Sequence, residues 1–249
     1  GFAHDLVLDA TQRSVAPETA RLIHRAIAER LAQRAPARAA AHFESAQDWD
    51  AACATYIAAA RGAGAASHRA QELRLLRCAA SCVERGATAA DRFEIELRSA
   101  RAAQWVDRTD VARACAEAAL GCAATPAQRA EALAACAEAV DFLGQGERAI
   151  EYAQAGLRLA LALRDAPLVL TLAGILGRLY GARGECERGL AVFEEYEPWL
   201  ATEAGPAGSM FLAHRSQVLE QAKRRQDAAA VARRALALAV AAGDLTAAC

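Results

Sequence analysis

Cys78 and Cys82 stand four residues apart, the separation at which two thiolates on one helix face can clasp a metal ion. A structural site needs two further ligands, and no second Cys or His pair at ligand spacing accompanies them. Cys53, Cys115, Cys122, Cys136, Cys186 and Cys249 fall mostly on apolar stripes, where a free thiol packs as a small hydrophobe. Buried thiols in a reducing cytoplasm are therefore expected, not a disulfide framework. Glu194, Glu195 and Glu197 read as a solvated face instead of an acid dyad. His24 and His42 are expected in helix–helix contacts, and His68 and His214 at the surface. No Gly-x-x-x-x-Gly-Lys loop, Ser/His/Asp set or His-Glu-x-x-His is present. The sequence reads as non-catalytic, with no metal site.

Charge narrows the choice of partner. The 29 basic and 30 acidic residues are interspersed and leave a net charge of −1, without the basic patch that nucleic-acid binding requires. Contact with DNA is expected only through another domain of a longer protein. No apolar run approaches the roughly 18 residues of a membrane span. The uncharged stretch from Ala166 to Gly177 is broken by Pro167 and Gly174 and reads as a buried helix. Residues 1–10 carry acids and no basic lead, so no signal peptide is visible and a cytoplasmic protein is expected.

The elements that must position any site are helices. Alanine makes up about 28% of the chain and aromatic residues only 5%, a bias toward strong helix formers that also lets helices approach closely. A pattern recurs at spacings of 40, 37, 40 and 39 residues, from Glu72 through Ala112, Ala149 and Gly189 to Ala228. Seven residues after each stands Ala79, Ala119, Gly156, Tyr196 or Ala235, so only Glu72 and Tyr196 depart from small side chains. Such a period marks a helical solenoid, whose usual business is to present a surface to a partner. The predicted hairpins are 50–64 with 67–84, 88–106 with 109–122, 126–143 with 147–164, 167–182 with 186–202, and 206–224 with 227–242. Gly and Pro mark most joints, and Pro198 is expected to kink or shorten its helix.

In the fourth hairpin, Leu176-Gly177-x-x-Tyr180, Gly184, Gly189 and Phe193 resemble the tetratricopeptide repeat. Ala149-Ile150, Ala119-Leu120 and Ala235-Leu236 carry the likeness in other hairpins, although none has the leading Trp. The resemblance implies an all-α, right-handed α-solenoid of about five antiparallel helix hairpins, preceded by a short helical segment. The array is expected over 48–249, with repeats near 48–86, 87–124, 125–164, 165–204 and 205–243, after a helical junction segment at 1–47. Within 1–47, helices are expected to Ser14, from Pro17 to Arg34 with Ile23, Ile27 and Leu31 on one face, and from Ala37 to Ala46. Neither end shows the polar cap that solenoids need, so a piece of a larger protein is expected.

The opening order Phe2-x-His4-Asp5-Leu6-Val7, Leu22-x-His24, Ala26, Leu31, Ala40-Ala41-His42 and Ala46-x-x-Trp49 is more specific. It resembles the junction between winged-helix subdomain and repeats in STAND-type signalling ATPases. Those include large LuxR-type and antibiotic-regulator-type transcription factors and some bacterial nucleotide cyclases. The resemblance implies ATP or ADP as the cofactor of the parent protein, with His4 as nucleotide sensor and Asp5 as its positioning partner. An imidazole N–H can donate to a β-phosphate, and losing that contact would release a closed state. The family's Arg three residues beyond the Asp is Leu8 here, which leaves a second phosphate contact without a residue. The alternative for His4 is packing or capping of the first helix.

If the hairpins stack as in that family, the first helix of each lines a concave surface. The positions facing it are then Arg61, Arg101, Gln104, Trp105, Glu138, Asp141, Arg178 and Gln217. An acidic or aromatic peptide, a protein or a small inducer would engage the arginines, with Trp105 as apolar anchor. The alternative is that these side chains only keep the groove solvated. Two functions remain open: the sensor and interaction region of an ATP-dependent transcriptional regulator, or a plain scaffold in a cyclase or kinase signalling protein.

Overall fold

A computed structural model describes residues 15–88, 91–202 and 205–243. Among them are twelve α-helices and no strand. They are α1 (Pro17–Leu31), α2 (Pro36–Ser45), α3 (Trp49–Ala65), α4 (Arg69–Glu84), α5 (Arg92–Gln104), α6 (Thr109–Cys122) and α7 (Pro126–Asp141). α8 (Gly146–Leu163), α9 (Ala166–Ala182), α10 (Cys186–Tyr196), a 3-10 turn (Glu197–Ala201), α11 (Pro206–Gln221) and α12 (Arg225–Ala241) complete the order. Within each of the two units described below, successive helices pack against one another.

The chain divides between Val106 and Asp107 into two compact units, one holding α1–α5 and the other α6–α12. The division falls inside the link of the second predicted hairpin, so α5 is described with α4, and α6 with α7. In the first unit, α1 and α2 form a hairpin of their own against α3. Ala28, Ala40 and Phe43 share one buried cluster with Ala52, Cys53, Tyr56 and Leu76. On α1, Ile23 and Ile27 leave the enclosed position to Ala28, while Leu31 is half-buried. The two isoleucines are 49% and 36% exposed, while Ala28, rotated by about 100°, is fully enclosed. A methyl side chain permits the close approach to α2 that an isoleucine would block.

Helix starts follow their local chemistry. The Asp48, Asp91 and Asp165 carboxylates accept from the backbone N–H groups of Ala51, Glu94 and Leu168. Thr125 and Gln128 close a reciprocal capping box at α7, satisfying N–H groups that the helix leaves without partners. Pro198 ends α10 at Tyr196 and tightens the chain into the 3-10 turn, as its missing N–H requires. The turn delivers Glu197, which accepts from Arg215 at 2.8 Å and Arg234 at 2.7 Å. Burial pushes the Glu197 carboxyl up, but the two guanidinium groups outweigh it and hold the carboxyl below the usual range.

The core of the second unit is built by small residues that admit large ones. Phe193 of α10 is fully buried against Gly177 of α9, where a Cβ would stand 2.5 Å from its ring. Gly189 meets the Gly177 carbonyl itself, 2.6 Å from the place of a Cβ. Phe193 and Phe211 then pack edge to face at 5.1 Å, a favoured aromatic geometry. Burying one such phenyl ring contributes about 1.5–3 kcal/mol.

Candidate ligand-binding surface

His4 and Asp5 lie outside the described residues. The other predicted positions sort into two groups, one in each unit.

In the first unit, α3, α4 and α5 converge on an ion-pair cluster. Arg61 of α3 donates through Nε and Nη2 to Glu94 of α5, at 3.1 and 2.7 Å. Arg98 of α5 donates to Glu72 of α4 at 2.6 Å, and Arg69 donates to the other Glu72 oxygen at 2.8 Å. Glu72 is the bulky residue at a repeat position otherwise held by small ones. Its side chain is only 5% exposed, and it fits because Gly64 on α3 leaves room for its carboxylate. An unpaired buried carboxylate would be costly; two arginines offset that cost here. Arg69, Glu72, Arg98, Arg101, Ala102 and Trp105 line a depression of about 390 Å3. Trp105, at the end of α5, is 69% exposed, while neighbouring Gln104 is half-buried with an enclosed Nε2 that has no hydrogen-bond partner.

In the second unit, Arg178 of α9 and Asp141 of α7 are brought together at 2.8 Å, with side chains only 17% and 20% exposed. The pair ties two first helices to each other. Glu138 is half-buried and Gln217 exposed. His214, expected at the surface, packs instead with its Nδ1 buried against Gly174. Burial, aided by the charge of Arg178, lowers its pKa to about 4. The reason lies in Gly174: without a side chain there, α9 leaves a slot that the α11 imidazole fills.

The sequence reading named Arg101, Trp105, Asp141 and Arg178 each as a groove position, and the structure pairs Asp141 with Arg178. That reading missed Arg69, Arg98 and Glu94 as partners of the cluster. The available signal was Glu72 itself, a charge standing where every other repeat has a small residue.

The histidine pair on α1 and α2 is a contact between helices, as its position suggested. His24 and His42 approach through Nδ1 atoms at 2.9 Å. The seven described cysteines are free, and burial pushes Cys82 and Cys136 up to about 12. Cys82 and Cys136 are packing groups without nucleophilic character at neutral pH. No group of three or more His, Cys, Asp or Glu among the described residues is placed to hold a metal ion. Among the described residues, no helix is long and apolar enough to cross a membrane.

This arrangement defines an all-α array of helix hairpins of the tetratricopeptide-like kind, and solved structures share the fold. A Rap protein complexed with Competence and Sporulation Factor matches with a TM-score of 0.68 at 12% identity, over 78% of this chain and 56% of that one. The Rap conjugation gene regulator of plasmid pLS20, in complex with the Phr* peptide, gives 0.66 at 15% identity, over 81% and 57%. A putative kinesin light chain of Podosopora anserina, with nearly identical TPR-like repeats, gives 0.58 at 16%, over 74% and 93%. This chain spans little more than half the length of the two Rap proteins. No family model and no curated protein matches the sequence.

Proposed function

We propose that this chain is an interaction module that holds a peptide or protein on exposed side chains of its helix hairpins, and that it carries out no chemistry of its own. The observation that carries this reading is the placement of its large side chains. Alanine and glycine fill most helix contacts, yet Trp105 at the end of α5 and Phe142 at the end of α7 are left 69% and 66% exposed. Trp105 lies beside Arg69, Arg98 and Arg101, and Trp and Arg are among the side chains that dominate binding hot spots. Of the two Rap proteins of similar fold, one is in complex with the Phr* peptide and the other with Competence and Sporulation Factor. Their likeness supports a peptide as ligand here.

The finer reading assigns the module to an ATP-dependent transcriptional regulator. It rests on the Phe2-x-His4-Asp5-Leu6-Val7 order, with His4 donating to the diphosphate of bound ADP and Asp5 orienting the ring. Ligand capture by the hairpins would then bias that nucleotide contact. Transcriptional output and DNA contact belong to other parts of such a protein.

The test is a capture experiment with the immobilised chain and its Trp105→Ala/Phe142→Ala variant. Peptides retained by the unaltered chain and lost by the variant, with circular dichroism unchanged, support the module. Equal retention by both overturns the exposed aromatics as its contact points. For the regulator reading, His4→Ala in the intact protein is expected to weaken ADP retention and raise basal output; unchanged retention and output overturn it.

A further inference from the structure

We infer that the depression between α4 and α5 is a carboxylate pocket, which reads an acidic group on a bound peptide with an apolar side chain beside it on Trp105. The inference rests on the peptide-binding reading above and names what one part of that surface selects.

Three of the six lining residues are arginines and one is acidic. Each guanidinium has five N–H donors in a planar fork that matches a carboxylate. Arg69 donates through Nη1 alone to Glu72, and Arg98 through Nη2 alone. Nη1 of Arg98 is 3.7 Å from Glu94, an ion pair too long for a hydrogen bond. Both forks therefore retain donors beyond those that Glu72 occupies. Their side chains are only 29% and 23% exposed, and the buried carboxylate anchors them. Rotamer-rich arginines held in place in advance lose less entropy when a ligand arrives. Glu72 is thus a positioning residue, and the arginines are the ligand contacts.

The repeat itself points to the same spot. A hairpin array gains nothing in stability from a buried carboxylate where its own pattern calls for a small residue. This one adds Glu72, the Gly64 that seats it and two arginines that neutralise it, all in one place. Local departures from self-consistency of this kind are expected where a site is built. Trp105 supplies the apolar wall next to the charged floor.

The experiment is fluorescence anisotropy of the whole chain with fluorescein-labelled hexapeptide pools. One position is fixed as Phe and its neighbour as Glu or Gln, with amidated C-termini. A third pool carries the Phe at a free C-terminal carboxylate. The Glu pool is expected to bind about tenfold more tightly than the Gln pool, a difference of one hydrogen-bonded charge. Tighter binding by the third pool than by its amide would place the source at a chain terminus, and equal binding would place it at a side chain; either fits the pocket. Arg98→Gln is expected to abolish the Glu preference while leaving the Gln pool unaffected, and Arg30→Gln on α1 to change nothing. Should Arg98→Gln fail to fold, Arg101→Gln with Trp105→Ala carries the test, because both side chains are exposed. Pools that bind without regard to charge, or whose preference survives the arginine variants, overturn the pocket while peptide binding stands. Absence of binding by every pool at millimolar concentration overturns both.

Discussion

The Glu72 carboxylate rests directly on Gly64: a Cβ added at position 64 would stand 2.7 Å from Oε1. The two residues lie on the paired helices α3 and α4, so one position dictates the other. Gly64→Ala is expected to destabilise the chain by about 1–3 kcal/mol, the usual cost of overpacking. Because Gly64 is helical with an ordinary φ, the added methyl also favours helix by about 1 kcal/mol, which offsets part of that loss. Adding Glu72→Ala should recover stability in the alanine background. Urea unfolding of the two single variants and the double would show the coupling, and strict additivity would refute it.

Arg178 behaves differently from an exposed arginine. Reversing its charge sets two carboxylates face to face at a site where both side chains are four-fifths buried. Arg178→Glu is expected to cost about 3 kcal/mol, as loss of a buried partner does, whereas Arg101→Glu on the exposed side of α5 should cost less than about 0.5 kcal/mol. Thermal melting separates the two outcomes. A near-neutral Arg178→Glu would mean that the pair does not tie α7 to α9.

Acidification should loosen the second unit through His214. Its folded pKa, about 4, lies below the ordinary imidazole value of 6.5, so the unfolded chain binds more protons between those values. The stabilisation is complete above pH 6.5 and is lost as pH falls toward 4, up to about 3 kcal/mol in all. Carboxylates titrate below about pH 5, so the diagnostic window is pH 5–6.5. His214→Gln should flatten the melting temperature across that window. A slope identical to that of the unaltered chain would refute the assignment.

The hairpin turns offer a matched pair. Lys223 adopts a left-handed φ of 62° between α11 and α12, and Gly144 a φ of 73° between α7 and α8. Lys223→Gly should stabilise, and Gly144→Ala should destabilise, each by about 1 kcal/mol. Opposite signs in calorimetric melting are the expected outcome.

Helices were legible in the sequence wherever a turn residue and an apolar stripe coincided. The start of α6 at Thr109 and of α7 at Pro126 follows directly from such signals. Arg164 and Lys223 were less legible, because non-glycine residues hold left-handed turns there and no Gly announced them. The arginine cluster was hidden for another reason: Arg61 meets Glu94 across 33 residues and Arg98 meets Glu72 across 26. Helical periodicity places each residue on a face, but it does not say which neighbouring face arrives opposite. His214 was misplaced on the same ground, since its slot is made by a glycine one hairpin earlier.

The glycine contacts of the second unit bear on how an alanine-rich array avoids folding out of register. Many of its helix faces are nearly interchangeable, and similar repeats in one chain invite mispairing during folding. Three contacts are not interchangeable: Gly156 receives Leu172, Gly177 receives Phe193, and Gly181 receives Val218. Each is a notch cut for one side chain at one position in the chain, so a hairpin shifted along the array meets a filled notch or an empty one. Order among the repeats is thereby written in a few glycines, like the wards of a lock, while the alanines around them stay anonymous.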